Sequence, residues 1–205
     1  MSKNYISYLE PRRFSNIEED IISATQCYCQ GEPYKKWVRD AATIHSFVSD
    51  KSDYHLSGRT VHKPSSMMDG WKISGDCEDQ TVLLSSMACS TSTITDIQLI
   101  AVNSSFRGDD AHILTMFGIP QNRRDRVVDL IKNFYDEVLN YSIGAICWEN
   151  YQGRTYFPAD ATMSNYVGDL SGQYMANLTD ADKGNWNWSY IEERIFVPNR
   201  LANSG

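Results

Sequence analysis

Long apolar runs are missing from this chain. No stretch of about 18 consecutive apolar residues occurs, which excludes a membrane-spanning helix of ordinary length. The opening stretch from Met1 to Phe14 has no apolar segment of the kind a secretory signal requires, so a cytoplasmic location is expected. Cysteine is scarce: five residues in 205, Cys27, Cys29, Cys77, Cys89 and Cys147, an odd number and too few for a disulfide scaffold of this length. Reduced thiols suit that count, and a reduced thiol is available as a nucleophile. Positive charge is in deficit, with 19 Lys and Arg against 26 Asp and Glu for a net charge of −7. Nucleic-acid affinity comes from clustered Lys and Arg, so no nucleic-acid partner is expected. A nucleotide-binding βαβ sheet needs a Gly-rich phosphate loop between strand and helix, and none is present. Internal repeats and low-complexity tracts are also lacking.

What remains is an apolar content of 41%, sufficient for a buried core, in a length that suits a single domain spanning residues 1–205. Its amino-terminal part, about residues 15–50, reads as helices. Ser15 and Asn16 are candidate caps, and Glu18, Glu19 and Asp20 place acids in a first turn, where they complement the helix dipole. Gly31 breaks that pattern. Pro33 suits the first turn of a second helix in which Trp37, Ala41, Ile44 and Val48 share a face. Residues 49–73 read as a long loop, a length that is usually functional. A helix follows over residues 77–89, with Cys77, Leu84 and Ala88 on one inward stripe. Strands are expected at 96–102 and at 111–119, with His112 near the start of the second. A helical insertion covers about residues 121–143, a hairpin joins strands at 144–148 and 154–160, and a last strand spans 188–197. Helices first and then strands with one helix between them describe an α+β fold with an antiparallel sheet.

A cysteine in the first turn of a helix faces free backbone N–H groups and the positive end of the helix dipole, and both favour thiolate over thiol. Glu78 and Asp79 act the other way, because nearby anions raise a thiol pKa. A neighbouring imidazolium decides the balance. His112 is the one histidine downstream of Cys77, since His45, His55 and His62 precede it. Asp160, ending a later strand, is placed to accept from the second ring nitrogen and fix the tautomer. Asp109 and Asp110 compete for that role, but they adjoin His112 and read as turn residues. Cys27-Tyr28-Cys29 has no second cysteine or histidine cluster beside it, so no metal and no cofactor are expected. Cys89 and Cys147 read as core. Trp186, Trp188 and Tyr190 either pack on the sheet or line a groove, and Lys35-Lys36 and Arg123-Arg124 read as solvated faces.

The segment Gly75-Asp76-Cys77-Glu78-Asp79 resembles the Gly-Asp-Cys-Glu-Asp start of the nucleophile helix in the transglutaminase-like superfamily, in its prokaryotic and viral form. That superfamily lies within the papain-like cysteine peptidase fold. The likeness extends over roughly residues 36–170. An apolar helix, a strand, a strand with Ala111-His112-Ile113 and a strand ending in Asp160-Ala161-Thr162 follow in the family's order, and Tyr54 resembles the aromatic residue that precedes such motifs. The chain departs from the pattern at Leu114, where many relatives carry Trp, and in the 48-residue interval from His112 to Asp160. That interval contains the helical insertion, a lid or substrate wall on this reading.

The resemblance implies a papain-like core with the nucleophile helix packed on an antiparallel sheet. Cys77 is then the nucleophile, His112 the general base and acid, and Asp160 the orienting carboxylate. The Cys77 N–H is the first oxyanion donor, while the second stays open among Tyr54, His62 and Trp71. The implied activity is acyl transfer on an amide of a peptide or protein substrate through a thioester. Hydrolysis is favoured by analogy, because small relatives are often proposed to be peptidases and the chain lacks the further domains of cross-linking enzymes. Transfer to a lysine amine is the second reading. An unused triad in a structural or binding module of a larger assembly is the third.

Overall fold

In the computed structural model, which describes residues 4–25, 32–55, 60–69, 72–103, 111–170 and 191–198, helices cover one face of a five-stranded antiparallel sheet. Two 3-10 turns, Tyr5–Tyr8 and Pro11–Phe14, lead into helix α1 (Ile17–Thr25). Helix α2 (Pro33–Lys51) starts at Pro33, whose fixed φ suits a first helical turn. Its Trp37, Val38, Ala41, Ile44 and Val48 are all buried.

Residues 49–73 hold more structure than the loop their composition suggests. Helix α2 runs on to Lys51, and strand β1 (Ser52–Tyr54) follows at once. After the one-turn helix α3 (Pro64–Met67) come β2 (Met68–Asp69) and β3 (Lys72–Gly75). They form a small sheet of order β1-β3-β2, with β1 parallel and β2 antiparallel to β3. Strands of two to four residues are too short to display an alternating pattern, which is why polar composition concealed them.

Strand β3 feeds directly into helix α4 (Cys77–Cys89). Leu84 and Ala88, on the inward stripe expected for this helix, are buried and Cys77 is half-buried, but burial extends well beyond that stripe. Val82, Leu83, Leu84, Met87 and Ala88 are buried together with Gln80, Thr81, Ser85 and Ser86, so the helix is enclosed on nearly every side. Its polar side chains are satisfied internally. Thr81 donates to the Ile113 carbonyl at 3.1 Å, Ser85 and Thr115 share a hydrogen bond of 2.9 Å, and Ser86 donates to the Val82 carbonyl at 2.8 Å. The first two bonds tie α4 to the strand that carries His112.

The main sheet has the order β6-β7-β5-β4-β8, built from β4 (Ile97–Asn103), β5 (Ala111–Pro120), β6 (Glu149–Tyr151), β7 (Arg154–Ala159) and β8 (Ile191–Val197), antiparallel throughout. The β6–β7 hairpin turns on Gln152 and Gly153, whose φ values of 50° and 74° are those of a two-residue hairpin turn. This pairs Tyr151 with Arg154 and places the first hairpin strand at Glu149–Tyr151 rather than at 144–148. The buried Cys147 instead donates its N–H to the Gly168 carbonyl at 2.8 Å.

Alternate strand residues face two cores. Leu99, Ile113, Phe117, Phe157 and Ala159 join the large cluster under the helices. Ile100, Leu114, Met116 and Tyr156 form a smaller one with Cys147 and Leu170. Leu114 is thus a core residue with no exposed surface. Helix α5 (Arg124–Glu137) buries Val127, Leu130, Ile131, Phe134 and Tyr135. It packs along α2, and Arg126 bonds Glu32 through two nitrogens. Helix α5 is therefore part of the core framework. Arg123 and Arg124 lie over the rings of Tyr34 and Trp148. No described helix is long and apolar enough to cross a membrane.

Candidate active site

The junction of β3 and α4 shows why its residue types are needed. Asp76 has extended backbone angles and caps the helix: its Oδ1 accepts from the N–H groups of Glu78 (3.0 Å) and Asp79 (3.4 Å). Asp79 answers by accepting from the Asp76 N–H at 3.2 Å, completing a capping box. Cys77 then occupies the first helical position, and its own N–H is not taken by the cap. Gly75 is required because a Cβ there would lie 2.5 Å from the Cβ of Asp79. The Asp79 carboxylate is fully buried and also accepts from the His62 N–H (2.7 Å), with His62 Nδ1 at 3.2 Å. Glu78 accepts from the Tyr5 hydroxyl at 2.6 Å. Both first-turn acids thus have hydrogen-bond donors placed against them.

His112 sits near the start of β5, buried, with Nε2 2.6 Å from Asp160 Oδ2. Asp160 follows the end of β7 and is also buried. Its Oδ1 accepts from the N–H groups of Thr162 (3.0 Å) and Met163 (3.2 Å). Thr162 in turn donates its hydroxyl to Gln80 Oε1 at 3.1 Å, joining the Asp160 turn to α4 one turn after Cys77.

Burial disfavours a charged His112, but the Asp160 carboxylate, by its charge and its hydrogen bond, and a hydrogen bond with the Cys77 side chain outweigh that and push the imidazole up to about 10. Burial likewise acts to raise the Asp160 carboxyl. The charge and hydrogen bond of His112, with the two backbone N–H groups, instead hold it below the ordinary carboxylate range. With Nε2 committed to Asp160, Nδ1 is the ring nitrogen left for the half-buried thiol of Cys77.

Of the remaining sequence candidates, Tyr54 pairs with Gly75 across β1 and β3 and is 48% exposed, two positions from Cys77 in the register. His62 is a buttress of the β3–α4 junction, and its bonds to Asp79 engage both its N–H and its Nδ1. Trp71, Cys27, Cys29, Asp109, Asp110, Trp186, Trp188 and Tyr190 lie outside the described residues. Burial pushes the Cys89 thiol up to about 12, and Cys147 is a core residue. Among the described residues no three His, Cys, Asp or Glu side chains converge as metal ligands. A cavity of about 690 Å³ lined by Ile17, Ile21, Ile44, Phe47 and Met87 is a separate feature. It touches α4 ten residues beyond Cys77, about 15 Å along the helix.

Four contacts around the candidate site carried no sequence pattern of their own: Tyr5 on Glu78, His62 on Asp79, Gln80 on Thr162, and His45 on the Asp160 carbonyl. Each joins residues 17 to 115 positions apart. Comparisons of the chain with protein-family models, with curated proteins and with solved structures gave no match.

Proposed function

We propose that this protein is a cysteine-dependent acyl-transfer enzyme with a papain-like, transglutaminase-like core, acting as a hydrolase on a peptide or isopeptide amide. The observation that carries the reading is the meeting of Cys77, His112 and Asp160, contributed by α4, β5 and the turn after β7, around a hydrogen-bonded imidazole. Its sequence support is the Gly-Asp-Cys-Glu-Asp segment and the Asp-x-Thr turn.

His112 takes the thiol proton of Cys77, and Asp160 stabilises the resulting imidazolium. The thiolate adds to the amide carbonyl carbon. The Cys77 N–H, on the first turn of α4, donates to the oxygen that becomes negative. Imidazolium His112 then protonates the departing amine nitrogen as the C–N bond breaks, leaving a thioester on Cys77. Neutral His112 next removes a proton from water as its oxygen attacks the thioester. The C–S bond breaks, a carboxylic acid leaves, and the thiolate–imidazolium pair is restored. An amine in place of water makes the same thioester a cross-linking intermediate, so the acceptor separates peptidase from transglutaminase.

Product analysis on a peptide library, with and without an added primary amine, tests this. The expected products are carboxylic acids in both arms. Preferential incorporation of the amine overturns hydrolysis in favour of transfer. Absence of any acyl product in either arm overturns the enzyme reading and leaves a binding or structural module of a larger assembly.

A further inference from the structure

His45, on α2, is fully buried, and the reaction steps do not use it. Its Nε2 lies 3.3 Å from the backbone carbonyl of Asp160, an oxygen that also accepts from the Ser164 N–H at 3.0 Å. A carbonyl only accepts, so Nε2 carries the proton and Nδ1 the lone pair. That Nδ1 is buried with no hydrogen-bond partner. Burial holds the ring below the ordinary histidine value, against the opposing influence of the Asp160 carbonyl bond and the charges of Asp160, Asp169 and Asp50. The ring is therefore a neutral donor. An apolar side chain of similar volume would leave no nitrogen unpaired in a dry interior, so the residue type asks for a reason beyond packing.

We propose that His45 is a positioning residue for the Cys77–His112–Asp160 site, its Nε2–H anchoring the Asp160 peptide to α2 so that the carboxylate stays in register with His112. This rests on the acyl-transfer reading of that site. Besides the His112 bond and the pairing of the neighbouring Ala159 with Thr115, the Asp160 turn is held by bonds within itself, from Thr162, Met163 and Ser164, and by the Thr162–Gln80 bond to α4. His45 supplies a hold from a second helix, α2, and acts on the peptide that bears the carboxylate. The neutrality of the ring matters as much as its reach. A cationic His45 would draw on the field of Asp160 and weaken its grip on the His112 imidazolium, whereas a neutral donor fixes the backbone and leaves the carboxylate charge to His112.

The test is the pH profile of Cys77 alkylation by iodoacetamide, followed by peptide mass mapping, in the full chain and in His45→Gln, His45→Asn and His45→Leu, each with its thermal midpoint. The amide nitrogen of Gln reaches the position of Nε2; that of Asn stops short, and Leu has none. The expected result is Cys77 labelling within about threefold of the parent in His45→Gln, with the slower variants His45→Asn and His45→Leu reduced about tenfold near neutral pH and their acid limb moved up by about one pH unit. Should Leu fail to fold, the Gln and Asn pair still decides, because both are polar and differ in reach. Equal profiles for Gln and Asn overturn the proposal while leaving the reaction standing. A parent protein in which Cys77 labels no faster than Cys89 overturns both.

Discussion

Replacing His112 by Gln is expected to lower kcat/KM by at least about a thousandfold, while the thermal midpoint stays close to that of the parent. The choice of Gln follows from the geometry. Its amide nitrogen can occupy the place of Nε2 and keep the 2.6 Å bond to Asp160, but it has no nitrogen able to take the Cys77 proton. His112→Ala is the poorer probe. It strands the buried Asp160 carboxylate, and breaking a buried pair from one side costs about 3–5 kcal/mol, so lost activity would be confounded with lost fold. Steady-state kinetics beside thermal unfolding separate the two. Full activity in His112→Gln would assign the base elsewhere.

Asp160→Asn is expected to lower kcat by about 10²–10⁴-fold and also to change how stability depends on pH. Asp160 is held below its ordinary value of 3.8, so its contribution is present above that value and is lost as pH falls through the lowered one. His112 is raised from 6.5 to about 10, so its contribution is complete below 6.5 and is lost as pH rises through about 10. The pair therefore stabilises the fold fully between about pH 3.8 and 6.5 and loses its alkaline share from there to about pH 10. In the Asn variant the charge partner is gone, and both limbs flatten. Thermal midpoints of the two proteins from pH 3 to 10 check this through their difference. A constant offset at every pH would show that the two side chains do not titrate as a coupled pair.

Much of the main architecture was legible because it rests on local patterns. Pro33 and the spacing of Trp37, Ala41, Ile44 and Val48 mark α2, and the charged and apolar faces of residues 124–137 mark α5. The Gly-Asp-Cys-Glu-Asp segment placed Cys77 on the first turn of α4, where the capping box holds it. Three features were not legible. The small sheet around β3 has strands too short for periodicity. The all-round burial of α4 depends on Thr81, Ser85 and Ser86 finding partners on β5 and on α4 itself, and Ser and Thr read as surface residues until those partners are known. The first strand of the hairpin was misplaced because apolar Ile146 and Cys147 mimic a strand, whereas the two-residue turn at Gln152-Gly153 sets the register. At the candidate site, residue types pointed to Cys77, His112 and Asp160, and the structure brings His112 against Asp160. The layer that holds them, from Tyr5, His45, His62 and Gln80, became visible only in three dimensions, since it is made of single contacts between distant parts of the chain.

The most direct check on a Cys77–His112–Asp160 acyl-transfer centre is the rate at which a thiol-directed electrophile modifies each cysteine of the native protein near pH 6.5. Cys89 serves as the internal reference, since burial pushes its thiol up to about 12. A thiolate paired with an imidazolium should make Cys77 react at least about a hundredfold faster than Cys89, with that advantage lost in His112→Gln. Equal, slow modification of Cys77 and Cys89, or a Cys77 rate indifferent to His112, would contradict it.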